Sequence, residues 1–333
     1  MIKVIVVSIL NDDFSLKRHW NYCLISFHQV RLFDSVPGAF LKSATVAIFT
    51  PTFNRAYKLP DLYHSLVRQT NKDFVWLVVD DGSTDDTERL INNYMHENLI
   101  KIRFVSRENG GKQRAHNTAL QNCNEELFFT VDSDDYLTDS AIQQVIEAWT
   151  PLRPKENIAG IIALCGESEI KPLNTYFPAK LNTTKIYDLY SHYHFAGDAT
   201  LIYRTSILKQ YPYDVAEGEK FIAESFVYLQ IDERYELSTL NSVLKICEYL
   251  PDGYTKSTRS VARLNPKGYM KVKKMYMERA TTHRDTIEST TLYLVGAYFA
   301  HEFSAGLKTI RNPALAIVAG FIAIVLANTE FRK

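Results

Sequence analysis

Two aspartates separated by one residue, Asp132 and Asp134, are the clearest candidates for chemistry in this 333-residue sequence. Their carboxylates leave one short turn after an apolar segment, so they repel each other unless a cation lies between them. A hard divalent ion such as Mg²⁺ or Mn²⁺ prefers oxygen ligands of this kind and needs few of them when a diphosphate supplies the rest. The pair therefore predicts a metal-bound diphosphate. The alternative is a solvated acidic turn at the start of a helix.

A second acidic cluster, with the sequence DDGSTD at residues 80–85, also follows an apolar segment directly. A buried carboxylate in such a turn can accept a hydrogen bond from the N–H of a nucleobase. A calcium loop of the EF-hand type is excluded, because Gly82 comes third rather than sixth when the loop starts at Asp80. The cluster therefore favours recognition of a base.

Residues 108–114, with the sequence ENGGKQR, combine two adjacent glycines with two basic side chains. Glycines before a helix allow the backbone to approach a phosphate closely, and Lys112 and Arg114 add positive charge near the helix N-terminus. The segment is not a Walker A loop, because Ser106 stands in place of its early glycine and Gln113 in place of its final Ser or Thr. The sequence also has no G-x-G-x-x-G motif, so P-loop and dinucleotide chemistry are disfavoured.

The hydrophobic periodicity of residues 45–150 predicts the elements that must position these segments. Apolar, β-branched runs predict buried strands, each followed by residues at helical spacing. The predicted strands lie at 45–50, 74–79, 102–105 and 127–131, and further along the chain at 158–164 and 200–203, with a short helix at 221–231. This alternation predicts an α/β fold with a mostly parallel sheet. Because ligands bind beyond the carboxyl ends of such strands, we expect the polar segments to converge there.

Four segments, in this order and spacing, resemble the family-2 glycosyltransferases of the GT-A fold. They are PTFNR at 51–55, VDDGSTD at 79–85, NGG at 109–111 with Ala115 and Asn117, and DSDD at 132–135. The resemblance covers about residues 44–235. It implies a GT-A sheet flanked by helices, whose Rossmann-like first half binds a nucleotide-sugar, most often a UDP-sugar. Segments at 218–225 and 248–253 also resemble a bacterial subgroup often linked to surface-polysaccharide assembly.

The same resemblance implies roles for individual residues at the donor site. The nucleobase would be held by the turn residues Pro51, Thr52, Asn54 and Arg55 together with Asp80 or Asp81. The remaining candidates for contact with the donor are Gly111, Lys112 and Arg114 of the glycine-rich segment described above, together with Asp132 and Ser133. Asp132 would approach the ribose and, with Asp134, hold a divalent cation, Mn²⁺ or Mg²⁺.

Family-2 enzymes are typically inverting, which requires a general base that deprotonates the acceptor hydroxyl. Many members carry Glu-Asp at the start of the corresponding helix, with the Asp as base, where this chain has Glu224-Ser225. A serine cannot serve as that base, so Glu224 is the candidate, with Asp198 and Glu219 as alternatives. The other interpretation of Glu224 is a carboxylate that the helix dipole stabilises.

Composition limits the classes of protein to which the chain can belong. With 46% hydrophobic residues it is not disordered, and its balance of 38 basic and 38 acidic residues argues against nucleic-acid binding. Its four cysteines are far apart, without the spacing of a zinc site, and are typical of thiols in a reducing compartment. The N-terminal apolar run lacks a small-residue cleavage site, so secretion is disfavoured and a cytoplasmic location is expected.

The C-terminal part of the sequence differs in charge and hydropathy. Residues 256–284 contain nine Lys or Arg and one acidic residue, and a basic helix is expected at 270–284. Residues 313–327 contain no charged side chain. A helix over the latter segment would cover about 22 Å, short of the ~30 Å hydrocarbon core of a bilayer, so a spanning helix is not expected. The pattern predicts peripheral contact with the inner face of the plasma membrane, or helices that pack on the catalytic domain or on a second copy.

We therefore expect an N-terminal extension at 1–43, a glycosyltransferase domain at 44–255 and a helical tail at 256–333. The domain would divide near residue 135 into a nucleotide-sugar half and an acceptor half. The predicted reaction moves a hexose-type sugar from a UDP donor to a hydroxyl of a glycan or lipid-linked acceptor. The alternatives are a sugar-nucleotide nucleotidyltransferase and a non-catalytic glycan- or nucleotide-binding module. The donor sugar, the acceptor and the oligomeric state stay open.

Overall fold

A mixed β-sheet flanked by helices forms the body of the protein in a computed structural model, which describes residues 31–34, 45–173, 175–247 and 258–331. The strands are β1 (Arg31–Asp34), β2 (Val46–Thr52), β3 (Phe74–Asp80), β4 (Ile102–Ser106), β5 (Leu127–Thr130), β6 (Tyr136–Leu137), β7 (Ile158–Ser168), β8 (Lys171–Pro172), β9 (Thr183–Thr184), β10 (Ala199–Arg204) and β11 (Glu236–Ile246). The helices are α1 (Leu59–Val67), α2 (Thr87–Glu97), α3 (Lys112–Gln121), α4 (Ala141–Trp149), α5 (Ile186–Ser191), α6 (Thr205–Leu208), α7 (Ser225–Ile231), α8 (Thr258–Leu264), α9 (Pro266–Arg279), α10 (His283–Phe299), α11 (Phe303–Lys308) and α12 (Pro313–Thr329).

The first half of the sheet is parallel, as the alternation of strands and helices predicts. Strands β4, β3, β2 and β5 lie side by side in that order and run in the same direction. At one edge β1 pairs antiparallel with β4. Beyond β5, β10 runs antiparallel between β5 and β7, and β7 pairs in parallel with β11. The sheet as a whole is therefore mixed, and its parallel part carries the predicted nucleotide site.

Two hydrophobic cores, one on each face of the sheet, fix the parallel strands. Successive residues of β2 point to opposite faces, so Phe49 joins the core that includes Ala115 of α3, whereas Ile48 joins the core that includes Leu59 of α1 and Ile142 of α4. All five side chains are fully buried. Because both faces of β2 are covered, its sequence is a continuous apolar run rather than an alternating one.

Two helix predictions need correction. The helix expected at 221–231 begins only at Ser225, and the backbone N–H of Phe221 is instead bound by the side chain of Asn265. The basic stretch at 270–284 is not one helix, because Ala280 has an extended backbone with φ of −62° and ψ of 125°. The next helix, α10, starts with Thr282 as its cap, since the Thr282 hydroxyl accepts the N–H of Asp285 at 3.1 Å.

Helix α9 of the tail packs against the predicted acceptor half of the domain. The Arg279 guanidinium of α9 lies 2.5 Å from the Glu233 carboxylate and donates to the Leu229 carbonyl of α7 at 3.1 Å. The Lys271 ammonium of the same helix lies 2.5 Å from the Asp214 carboxylate. Among the described residues, no helix has the length and apolar content that a membrane span requires.

Several predicted features fall outside the described residues. They include most of the N-terminal extension, in which only β1 is described, the segment at 248–253, and the proposed boundary between the domain and the tail near residue 255.

Candidate active site

The predicted base-binding turn and the first acidic cluster meet at the carboxyl ends of β2 and β3. The Asn54 N–H donates to the Ser83 hydroxyl at 2.8 Å, and the Asn54 side-chain oxygen accepts the N–H of Thr84, also at 2.8 Å. The Asp81 N–H donates to the Thr52 carbonyl at 2.8 Å. Asn54 has φ of 53°, in the left-handed region that Asn tolerates better than most residues. The two segments therefore form one continuous rim.

The other residues of this turn differ in their exposure. Pro51 is partly buried, and Thr52 is buried with a hydroxyl that has no hydrogen-bond partner among the described residues. Arg55 is partly exposed, and its guanidinium donates to the Tyr57 hydroxyl at 2.8 Å and lies 5.8 Å from the centre of that ring. The turn therefore combines a buried hydroxyl with a cation beside an exposed aromatic ring.

Asp80 and Asp81 are both buried, but their carboxylates have different partners. Asp80 accepts the N–H and the hydroxyl of Ser83, and burial raises the pKa of Asp80 above its ordinary value in spite of these bonds. Asp81 accepts from the Arg107 guanidinium and from the N–H groups of the two glycines of the loop, at 3.0 and 2.6 Å. Asp81 therefore anchors the glycine loop, and Asp80 has fewer protein partners.

The glycine loop makes a tight contact with a distant segment. Gly111 precedes α3 with φ of 95°, in the left-handed region that favours glycine, and a Cβ at this position would overlap the carbonyl oxygen of Lys220. The Arg114 guanidinium donates to the carbonyl of Gly110 and to three carbonyls of residues 215–219, at 2.6–3.3 Å. Arg114 therefore joins the glycine loop to that segment, and its donors are directed at the protein.

Lys112, the first residue of α3, joins two of the predicted functional side chains. Its ammonium lies 2.8 Å from the Asp132 carboxylate and 2.7 Å from the Glu224 carboxylate. Burial acts to lower the pKa of Lys112, but the two carboxylates outweigh burial and raise the pKa above its ordinary value. For Asp132, burial acts to raise the pKa, and the ammonium groups of Lys112 and Lys245 bring it below its ordinary value. A predicted donor-site carboxylate and the candidate base thus share one cation.

Glu224 lies immediately before α7, and about two fifths of its side chain is exposed. One carboxylate oxygen contacts Lys112, and the other accepts from the Tyr228 hydroxyl at 3.4 Å. The carboxylate is therefore held in place while it stays open to solvent. Glu224 thus presents an exposed carboxylate beside a predicted donor-site residue, Asp132, through their shared contact with Lys112.

The two alternative bases have other surroundings. Asp198 is exposed in the loop directly before β10. Glu219 is buried, and its carboxylate accepts the N–H groups of Lys267 and Gly268 at 2.7 and 2.8 Å, at the N-terminus of α9. The carboxylate of Glu219 is thus engaged as a helix cap, which corrects its assignment as a reserve base.

The acidic turn after β5 contains three aspartates but is paired with only two lysines among the described residues. Asp135 pairs with Lys245 at 2.7 Å, whereas Asp134 makes no ion pair with any described residue. Burial, followed by the carboxylates of Asp132 and Asp135, raises the pKa of Asp134. Ser133 is buried within the turn. Within the described part of the chain, no three His, Cys, Asp or Glu side chains are arranged to hold a metal ion.

Three further side chains hold the site together, and the sequence motifs do not include them. They are Arg107, which binds Asp81; Lys245, which binds Asp135; and Asn265, which binds the N–H groups of Lys220 and Phe221. Arg107 has a recognisable signal, because it directly follows β4 at the same edge of the sheet as the acidic clusters. Lys245 and Asn265 have none, since their partners lie far away in the sequence.

Comparisons with known proteins match the same part of the chain. Residues 47–212 match the model of glycosyl transferase family 2. Chondroitin synthase of Escherichia coli is 32% identical over 115 residues, which cover 34% of this chain and 17% of that protein. Poly(ribitol-phosphate) beta-N-acetylglucosaminyltransferase TarP of Staphylococcus aureus is 24% identical over 201 residues, which cover 59% of this chain and 57% of that protein. The chain thus spans less than two thirds of the length of these relatives.

Solved structures share the fold. The crystal structure of S. aureus TarS 1–349 in complex with UDP-GlcNAc has a TM-score of 0.52 and 18% identity, and the match covers 86% of this chain and 92% of that chain. Mannosyltransferase PcManGT from Pyrobaculum calidifontis, in complex with GDP-Man and Mn²⁺, has a TM-score of 0.50 and 16% identity over 86% of this chain and 82% of that chain. These likenesses show the GT-A fold. The match to the family model shows that the chain belongs to glycosyl transferase family 2.

Proposed function

We propose that this chain is a metal-dependent, inverting glycosyltransferase that moves a sugar from a UDP-sugar to a hydroxyl of a glycan or lipid-linked acceptor in polysaccharide assembly. The observation that carries the proposal is the Lys112 ammonium between Asp132 and Glu224, because it brings the predicted donor site next to the predicted base. The TarS structures in complex with UDP and with UDP-GlcNAc support the donor class. The names of chondroitin synthase and TarP support a polymeric acceptor.

The rim formed by residues 51–55 and 80–85 is the proposed site of the nucleobase. Between the two aspartates we favour Asp80, because Asp81 already accepts from the Arg107 guanidinium and two backbone N–H groups. The Asp80 carboxylate has remaining acceptor capacity for a base N–H. The exposed ring of Tyr57 is available for stacking on the face of a base, an interaction that every base can make.

Asp132 and Asp134 fit a divalent cation. Their oxygens are ligands that Mg²⁺ and Mn²⁺ prefer, and Asp134 lacks a paired cation among the described residues. Such ions usually take one or two protein carboxylates and complete their coordination with substrate phosphates, so a two-carboxylate set is sufficient. When bound, the ion would neutralise the charge that develops on the leaving diphosphate.

Glu224 is the proposed general base. Its exposed carboxylate would accept the proton of the acceptor hydroxyl while the hydroxyl oxygen attacks the anomeric carbon. The Lys112 and Tyr228 contacts orient the two carboxylate oxygens before the acceptor arrives. The Lys112 ammonium could also move from Asp132 towards the diphosphate and stabilise its negative charge as that group leaves.

A lipid-linked acceptor would place the reaction at a membrane, so we extend the proposal to peripheral membrane contact through residues 256–333. Support comes from α12, where Ile317 and Phe321 are more than two thirds exposed. A cytoplasmic location stays a prediction, and the free thiols of Cys123, Cys165 and Cys247 fit a reducing compartment.

The proposal is tested by incubating the purified chain with UDP- and GDP-sugars in the presence of Mn²⁺ and measuring the release of nucleoside diphosphate. We expect turnover of at least one donor and loss of the Mn²⁺ stimulation in Asp134→Asn. In Glu224→Gln we expect the rate to fall by at least about 100-fold with unchanged donor affinity. Glu167→Gln is the matched control, because it removes a partly exposed carboxylate that is also paired with a lysine, Lys171, at the end of β7.

The two alternative functions give different outcomes in the same assay. A nucleotidyltransferase would release pyrophosphate from a nucleoside triphosphate and a sugar phosphate. A binding module would bind a nucleotide-sugar without releasing nucleoside diphosphate, and Glu224→Gln would leave it unchanged. Either result would contradict the proposed transferase.

A further inference from the structure

The loop at residues 215–224, which ends in the candidate base Glu224, lies between the N-termini of two helices. On one side it contacts the glycine loop that precedes α3, and on the other the start of α9 in the C-terminal tail. The loop has no regular secondary structure of its own, so its conformation depends on these contacts.

The loop and α9 exchange caps. Asn265 occupies the N-cap position of α9, where a side-chain oxygen ordinarily accepts an N–H of its own helix. Here that oxygen accepts the N–H groups of Lys220 and Phe221 of the loop, at 2.9 and 3.0 Å. In return, the Glu219 carboxylate of the loop accepts the first N–H groups of α9, at 2.7 and 2.8 Å. Both capping side chains are buried.

Two glycines allow the loop to approach both helices closely. A Cβ on Gly111 would overlap the Lys220 carbonyl oxygen, and a Cβ on Gly268 of α9 would lie 2.7 Å from the Phe221 carbonyl oxygen. The carbonyl groups of two consecutive loop residues, Lys220 and Phe221, thus pack against a glycine at the start of α3 and a glycine in α9. Such contacts leave no room for the loop to shift towards either side.

On the side that faces α3, polar contacts also hold the loop. The Arg114 guanidinium binds carbonyls of residues 215–219, and the Lys220 ammonium donates to the Asn109 side-chain oxygen at 2.5 Å. These bonds do not involve α9. The two sides of the loop can therefore be weakened separately, which makes the role of the tail accessible to experiment.

We infer that Glu219 and Asn265 are positioning residues through which the C-terminal helices hold the loop 215–224, and with it the Glu224 carboxylate, in the geometry that sugar transfer requires. This inference rests on the proposed function of Glu224. The reason is steric: Glu224 follows Phe221 by three residues, and a misplacement of about 1 Å can cost a catalytic group ~100-fold in rate. The start of α9 would thereby contribute to catalysis without contacting the substrate.

Three variants of the full chain test the inference: Glu219→Gln, Asn265→Ala and Gly268→Ala. In the donor-hydrolysis assay with Mn²⁺ we expect kcat to fall about tenfold in each, with the KM for the donor within about threefold of the wild type, because the contacts on the α3 side remain. Gly268→Ala distinguishes displacement of the loop from loss of helix stability. Alanine is the better helix former and would by itself stabilise α9, so a fall in kcat would come from the Cβ that pushes against the loop.

Glu233→Gln is the matched control. It removes a carboxylate that also attaches α9 to the domain, through Arg279 at the other end of the helix, without touching the loop. Its kcat should equal that of the wild type. A tenfold loss in this control as well would attribute the effects to general loosening of the tail and overturn the inference.

A double variant identifies the route by which Glu219 acts. If Glu219 acts through Glu224, then Glu219→Gln lowers the residual rate of Glu224→Gln by less than twofold, whereas a tenfold further loss would overturn the inference. Wild-type kcat in Glu219→Gln and Asn265→Ala, beside a Glu224→Gln variant that has lost activity, would overturn this inference and leave the proposed function standing. A wild-type chain that turns over no donor would overturn both.

Discussion

At the scale of single residues, Lys112 explains how two carboxylates from distant parts of the chain can lie side by side. Asp132 and Glu224 would repel each other without the cation between them, and Lys112 is only 23% exposed, so solvent screens the pairs less than it would at the surface. A role for the charge of Lys112 near a phosphate could be hypothesised from the sequence. Its contact with Glu224 could not, because no local pattern encodes a contact between residues so far apart.

His116 is a buried histidine whose protonation differs between the folded and unfolded states. Its ring packs edge-on against Phe49, Phe128 and Tyr213, and its Nδ1 has no hydrogen-bond partner within the described part of the chain. Burial, and then the Lys112 ammonium, lower the pKa of His116 to about 3 from an ordinary value of 6.5. The folded protein therefore keeps this histidine neutral at a pH where an unfolded chain protonates it.

We expect the free energy of unfolding to decrease as the pH falls from 7 to 5. Below pH 6.5 the unfolded chain binds a proton that the folded chain binds only near pH 3, so His116 removes about 1.4 kcal/mol of stability per pH unit. His116→Phe should abolish this part of the pH dependence, about 2 kcal/mol between the two pH values. Urea unfolding of both proteins at pH 7 and pH 5 measures it, and equal pH dependence would show that His116 titrates normally in the fold.

Other residues show where reasoning from the sequence stops. The places of Asp80 and Asp132 could be predicted, because each lies at the carboxyl end of a buried strand and such ends of a parallel sheet share one edge. The environments of Arg114 and Glu219 could not, since each binds backbone groups of another element. Charged side chains whose partners are backbone groups leave no complementary charge in the sequence to identify them.

At the scale of elements, the parallel strands were predictable because their sequences are continuous apolar runs that are buried on both faces, as in β2 and β3. The break between α9 and α10 was missed, because basic residues continue across it. A local signal was nevertheless present: Thr282 followed three residues later by Asp285 is a helix-start pattern. Helix boundaries in the tail are therefore set by caps rather than by hydropathy.

Gly111→Ala should destabilise the protein through the loop that begins α3. A positive φ costs an alanine about 1–2 kcal/mol, and the overlap of its Cβ with the Lys220 carbonyl adds roughly 1–3 kcal/mol. We therefore expect the free energy of unfolding to fall by about 3 kcal/mol, as measured by urea unfolding at pH 7.

Gly218→Ala provides the control for backbone strain. Gly218 also has a positive φ, of 80°, but no atom lies within 4 Å of the position its Cβ would take. Only the cost of the positive φ applies there, about 1–2 kcal/mol. If the two variants were equally destabilised, the contact between the glycine loop and Lys220 would have no energetic importance.

At the scale of the whole molecule, α12 has one face on the tail and another that is apolar and uncovered. Ala319, Ala323 and Ala327 pack inwards, whereas Ile317 is 73% and Phe321 is 71% exposed. Val318, Ile322, Ile324 and Val325 extend the exposed face. Contiguous apolar surface of this kind marks an interaction site, and a helix without charges beside basic helices is typical of contact with an anionic membrane.

We expect the wild-type chain to sediment with vesicles that contain anionic lipid, and the double variant Ile317→Asp/Phe321→Asp to lose at least four fifths of this binding. The reason is that each charged side chain would have to enter the interface in place of an apolar one. Binding should also weaken at high salt, because the basic residues of α8 and α9 contribute through electrostatics.

Ile170→Asp is the control for the vesicle experiment. Ile170 is 88% exposed in the turn between β7 and β8, outside the tail, so its replacement should leave vesicle binding unchanged. Absence of vesicle binding in the wild type, combined with a dimer that Ile317→Asp/Phe321→Asp dissociates in light scattering, would assign the face to a second copy instead.

Strand β1 has a consequence for the behaviour of the chain at high concentration. It pairs antiparallel with β4, from Arg31 opposite Ser106 to Asp34 opposite Arg103, and so occupies the outer side of the parallel sheet. Without β1, the backbone of β4 would present unpaired donors and acceptors, which are a template for strand addition by other molecules. A shortened version that began at residue 45 would retain every proposed catalytic side chain and would still tend to aggregate. Strand β1 thus covers an edge at which the sheet could otherwise add strands of other molecules.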